Sequence, residues 1–144
     1  MSASRRPRWR SPDSVLAGDP STVFDVAPYP GGPPGDLDLY LKKTVYLQSF
    51  APDLPTRTSS VLYATQRPAA FSGFAAQAAA AAWKTIPSWY LVGTEDQVIP
   101  PAQQLFMARR AQARIVEVAA SHVSLISRPG AVTSLIVAAA RSVG

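Results

Sequence analysis

Two runs in the second half of the chain have the apolar clustering of buried strands, and each leads into a helix signal. Trp89, Tyr90, Leu91 and Val92 follow Ser88 and stop at Gly93. Pro100 and Pro101 come next, residues that can open a helix but not continue a strand. A helix is therefore expected from near Pro101, with Ala102, Leu105, Phe106 and Ala113 turned inward and Gln103, Arg109 and Arg110 in water. Ala113 to Val118 reads as the next strand. Ser127 is placed to cap a last helix, with Pro129 in its first turn and apolar residues at Val132, Leu135, Ile136, Ala139 and Ala140. The sum is a βαβα unit, which implies a parallel strand pair with a right-handed crossover.

The first half is less periodic. Thr22 to Val26 and Leu37 to Leu41 read as short strands, and the Pro/Gly-rich stretch between them as the long loop of a hairpin. Lys42 to Phe50 suits a helical turn or two before the prolines Pro52 and Pro55. Thr56 or Ser59 is placed to cap a helix over Ser60 to Gln66, ended by Pro68. Ala69 to Trp83, with its alanine tract, has a helix former's composition despite Gly73. Residues 1–20 are rich in Arg, Pro and Ser, and are expected to form a disordered basic tail.

Length and composition fit one domain with a real core: 144 residues, 47% hydrophobic and 16% charged. The absence of cysteine excludes a disulfide framework, a thiolate zinc site and a cysteine nucleophile. His122 is the sole histidine, so no metal or other cofactor is expected. Arg5, Arg6, Arg8 and Arg10 precede the first acid, Asp13, and removing these four charges from the net +5 leaves +1 for everything else. An arginine arm with Trp9 has the chemistry to touch phosphates and stack on a base. With basicity confined to that tip, nucleic acid is not an expected partner. No apolar run reaches the 18 residues of a membrane span, and the N-terminus lacks a signal-peptide apolar region. A cytoplasmic location is the expectation.

Chemistry concentrates after the two late strands. Glu95 and Asp96 stand on the turn after the first, and His122 on the loop after the second. Open α/β sheets place ligands and chemistry at the edge where strands end. Asp then His in this order is the second half of a Ser…Asp…His hydrolase arrangement.

Trp83-Lys84-Thr85-Ile86-Pro87-Ser88-Trp89-Tyr90, Gly93-x-x-Asp96-x-x-Ile99-Pro100, Met107-Ala108-x-Arg110-Ala111 and Ser121-His122 with Ser127-x-Pro129 carry a resemblance. They resemble the C-terminal half of the α/β-hydrolase superfamily, in the flavour of small bacterial serine esterases similar to plant methylesterases and hydroxynitrile lyases. Phe50-Ala51-x-Asp53 and Gln66-Arg67-Pro68 resemble the cap segment of those enzymes. The resemblance implies a partial α/β-hydrolase fold over residues 21–144, with a cap-like segment at about 42–83. It also implies Asp96 as triad acid and His122 as general base, in ester or amide hydrolysis of a small molecule. Between Glu95 and Asp96 the family pattern alone makes the choice.

The departure from the family is large, because no G-x-S-x-G occurs. Ser72 precedes a glycine but falls in an expected helix, and Ser121 and Ser124 flank His122 without a nucleophile turn. The nucleophile strand and the early oxyanion loop would lie upstream of Met1. The expectation is thus a truncated chain, inactive alone, with an unpaired sheet edge that invites self-association. The alternative is a non-enzymatic remnant or protein-interaction module.

Overall fold

The computed structural model describes residues 12–74, 76 and 80–143. Of the basic tail expected over residues 1–20, the first eleven lie outside the described residues. The rest corrects that expectation, because it packs. Ser14 is buried and donates from Oγ to the Val98 carbonyl at 2.5 Å, while the Val15 N–H donates to Gln97 at 2.9 Å. These bonds join the start of the described chain to the turn that follows the first late strand.

A short helix, α1 (Pro20–Val23), is capped by the Asp19 side chain and leads directly into strand β1 (Phe24–Pro28). β2 (Leu37–Leu41) returns antiparallel, pairing Phe24 with Leu41 and Val26 with Leu39. The expected hairpin is present, shifted two residues towards the turn at its first strand. Period-two alternation places Phe24, Leu39 and Leu41 on one face. Gly31 and Gly35 take φ of 80° and 82° in the loop, a conformation that a side chain disfavours.

Helical turns α2 (Lys43–Val45) run into a π-helical turn over Tyr46–Phe50. The helix α3 (Thr56–Ala64) starts earlier than the expected Ser60. Pro55 precedes it without a side-chain cap, so neither Thr56 nor Ser59 caps it. Ser59 is instead buried inside the helix, its hydroxyl donating to the Ala51 carbonyl at 3.1 Å.

The helix expected over Ala69 to Trp83 does not form in the described part of that range. Ala69–Ala70 is strand β3, paired with Asp38 and Leu39, and Phe71–Phe74 is a 3₁₀ turn. Residues 75 and 77–79 lie outside the described ones, and Ala82–Lys84 is again a 3₁₀ turn. The reason is hydrogen bonding from outside the segment. Gln66 straddles β2, its Oε1 accepting from Leu41 N and its Nε2 donating to Leu41 O, each at 3.0 Å. Ser72 donates from N and Oγ to the Asp36 carboxylate at 3.0 and 2.6 Å. Alanine's helix preference, worth under about 1 kcal/mol per residue, loses to such pairing.

The second sheet is the parallel pair β4 (Trp89–Gly93) and β5 (Arg114–Val118), in register from Trp89 opposite Arg114 to Gly93 opposite Val118. Helix α4 (Pro101–Arg110) forms the crossover, starting at Pro101 as its sequence predicts. Its phase differs from expectation: Gln104 and Ala108 are buried, while Ala102 and Phe106 are exposed. A short helix α5 (Ser124–Ser127) precedes α6 (Pro129–Val143), so Ser127 ends one helix and does not cap the next. On α6, Val132, Leu135 and Ala139 are half-buried, but Ile136 and Ala140 are exposed. No described helix is long and apolar enough to cross a membrane.

Candidate active site

Parallel strands put both of their outgoing loops at one edge, and the register of β4 and β5 carries the pairing past the strand ends. Thr94 N donates to Val118 O at 2.9 Å and Glu95 N to Ala120 O at 3.1 Å. Gly93 permits this closeness. A Cβ there would lie 2.8 Å from the Ala120 carbonyl oxygen and 3.1 Å from that of Ser121. The two loops are therefore zipped together immediately below Asp96 and His122.

Asp96 is 6% exposed and all of its bonding capacity is directed. Its Oδ1 accepts from Val98 N at 2.8 Å and Ile99 N at 2.9 Å, which closes the turn. Its Oδ2 accepts from Gln104 Nε2 and meets His122 Nδ1, each at 2.9 Å. Glu95 is exposed and makes no such contact. Of the two neighbouring acids, Asp96 is the one that meets His122. An ionised carboxylate is acceptor-only, so facing one the His122 Nδ1–H is the donor of this contact.

Gln104, to which sequence reasoning assigned no role, is the bracket for this acid. From the second turn of α4 its Oε1 accepts from Gly93 N at 3.2 Å, and its Nε2 donates to Asp96 and to Ile99 O at 2.7 Å. One buried amide thereby fixes the end of β4, the turn and the carboxylate. Tyr90 lies close enough to feel that charge. Burial pushes its phenol up, and Asp96 pushes it further in the same direction.

A second carboxylate holds the His122 loop from the other side. Asp53 Oδ2 accepts from Ser121 N at 2.9 Å, and Oδ1 accepts from the Ser121 hydroxyl, which also reaches Phe50 O at 3.2 Å. Burial pushes the Asp53 carboxyl up, but the Ser121 hydroxyl, nearby Ser127 and the Ser121 N–H outweigh it and leave the group below the usual carboxylate range. Ser127 Oγ is buried nearby without a hydrogen bond of full geometry. The Phe50 ring packs on the imidazole with centroids 4.8 Å apart. Phe50 and Asp53 carried the cap-like resemblance, but nothing local showed that they meet a loop 68 residues away.

Beside the imidazole opens a cavity of about 390 Å³, walled by Leu16, Phe24, Leu39, Leu41, Tyr46 and Phe50, with His122 on its lining. A mostly apolar cavity with a few polar groups, here Tyr46, Gln66, Arg67 and His122, is the usual form of a small-molecule site. Of the serines flagged by sequence, Ser72 is engaged with Asp36 and Ser121 with Asp53, while Ser124 is the first residue of α5. Neither Ser72 nor Ser121 stands on a strand-to-helix elbow. Among the described residues, no three Asp, Glu or His side chains gather as a metal ion would require.

The family model described as Alpha/beta hydrolase family matches residues 2–135. The chain belongs to that family. Among solved structures, this hydrolase-family chain is similar to polyneuridine aldehyde esterase at 17% identity and a TM-score of 0.64, over 78% of this chain and 46% of that one. A histidine-to-alanine mutant of that esterase matches at 16% identity and 0.63, with the same coverage. Such likeness shows the fold, an α/β-hydrolase fold over part of its extent. The chain spans less than half the length of these structures. No curated protein matches it.

Proposed function

We propose that this chain carries the acid–base half of an ester-hydrolysing site whose serine nucleophile comes from polypeptide outside these 144 residues. The observation that supports it most is the 2.9 Å contact from His122 Nδ1 to an Asp96 carboxylate whose other bonds are already made. In this reading Nε2 takes the proton of the attacking hydroxyl, and Asp96 stabilises the imidazolium that results. His122 then returns the proton to the leaving alcohol. The substrate is a small apolar ester, since the cavity next to the imidazole is lined largely by aliphatic and aromatic side chains. In this reading the oxyanion donors and the nucleophile elbow also come from outside these residues, so the chain alone is expected to be without acyl transfer.

Two measurements test this. Nitrogen NMR of the imidazole at neutral pH should report the Nδ1–H tautomer with Nε2 as free base. An Nε2–H tautomer would remove the base and overturn the reading. A serine-directed fluorophosphonate should leave the purified chain unlabelled. Labelling of a serine in it would show that the nucleophile has been misplaced.

A further inference from the structure

The cavity beside His122 has an uneven charge. Its walls come from two places: the alternating face of the hairpin, with Phe24 opposite Leu41 and Leu39 two residues on, and the π-turn that presents Tyr46 and Phe50. No carboxylate is among the lining residues. The polar lining groups beyond Tyr46 are Gln66, Arg67 and His122. Gln66 has nothing left to offer a ligand on the strand side, because both ends of its amide are held by the Leu41 backbone. That pairing has a consequence for its neighbour. It pins the chain at residue 66 to β2 and so keeps Arg67, the next residue, beside the cavity it lines. Arg67 is exposed at the mouth, and no acid among the described residues pairs with it. The acids of the hairpin are engaged or averted: Asp25 pairs with Lys42, Asp36 with Ser72, and Asp38 alternates to the opposite face from Leu39.

From this we infer the substrate class of the site: an apolar ester that carries a separate carboxylate. Its apolar body lies along Phe24, Leu39 and Leu41, its ester carbonyl at His122, and its carboxylate on the Arg67 guanidinium. This rests on the reading of His122 as the general base. The guanidinium fork matches a carboxylate in two parallel hydrogen bonds, and a neutral ester in its place gains none of that charge assistance. A cavity of about 390 Å³ takes a ligand of one ring and a few further carbons, near the small end of the range of about 300–1,000 Å³ for small-molecule sites. Because Arg67 stands at the solvent-exposed mouth, its preference is modest, roughly five- to tenfold in affinity.

Because the chain alone is expected not to consume esters, intact esters serve as ligands. The probes are the monomethyl and dimethyl esters of 1,4-phenylenediacetic acid, titrated into the whole chain and followed by NMR shifts of leucine methyls and the His122 ring. The monoester is expected to bind roughly five- to tenfold more tightly than the diester, both shifting Leu39, Leu41 and His122. Arg67→Gln should remove that difference, while Arg67→Lys should keep part of it. Added salt should narrow the gap in the wild-type chain. Equal affinity of the two esters, a preference that survives Arg67→Gln, shifts confined to other residues, or no binding of either ester would each overturn the inference. Arg67 is exposed, so folding of its variants is checked by the His122 Nδ1 proton signal. Failure of the general-base reading shows in the tautomer measurement, and failure of this inference shows in the ester preference, so the two are told apart.

Discussion

Replacing Gln104 with leucine is the sharpest test of how the acid is held. The two side chains are similar in size, so the change removes hydrogen bonds and leaves little cavity. Three bonds go: the acceptor for Gly93 N–H, and the donors to Ile99 O and Asp96 Oδ2. Gly93 is buried and Ile99 half-buried, so two backbone groups lose their partners, one of them fully out of water. Leaving a buried group unsatisfied costs about 1–3 kcal/mol. With Ile99 discounted for its partial exposure, the expected loss is about 2–4 kcal/mol, against the net stability of about 5–15 kcal/mol usual for a domain. Urea unfolding followed by tryptophan fluorescence reads this directly, since Trp89 lies in β4 itself. Gln104→Glu adds a pH test. A carboxylate facing Asp96 has its folded pKa raised, so the variant's added stability cost is absent below about pH 4.3 and grows as pH rises above it. Gln104→Leu unfolding within about 0.5 kcal/mol of wild type would refute the bracket. A pH-independent Gln104→Glu penalty would mean that its side chain has left the carboxylate.

Gly93→Ala places a methyl group against two backbone carbonyl oxygens of the His122 loop. It is expected to cost roughly 1–3 kcal/mol and to weaken or abolish the His122 Nδ1 proton signal, even where the fold survives. Asp53→Asn keeps an acceptor but loses the charge. Since the Asp53 pKa is lowered on folding, its contribution is present above the unfolded value of about 3.9 and is lost as pH falls through the folded value. The wild type's stability advantage over Asp53→Asn should therefore shrink on acidification below about pH 4, measured by urea midpoints; a constant gap would remove the charge from the account.

The sequence alone determined the elements whose causes are local. Four β-favouring residues ending at Gly93, a proline pair at the start of α4, and a Pro/Gly loop between alternating runs needed no distant partner to be read. They also placed an acid and the sole histidine on the loops after two strands, and parallel pairing does the rest by bringing those loops to one edge. What the tertiary structure decided were choices between local equals. Glu95 and Asp96 are both acids on one turn, and only the turn's geometry, closed by Val98 and Ile99, aims Asp96 at the imidazole. The alanine-rich stretch became a short strand and a 3₁₀ turn because β2 and Asp36 offered bonds that helix propensity cannot see. Helix α4 turned Gln104 inward in place of Phe106 because a buried carboxylate and an open strand end needed an amide. Asp53 and Ser121 are separated by 68 residues, and hydrogen bonds across such a distance leave no periodic trace in either segment. Propensity and pattern act over a few residues; satisfaction of buried polar groups acts through space.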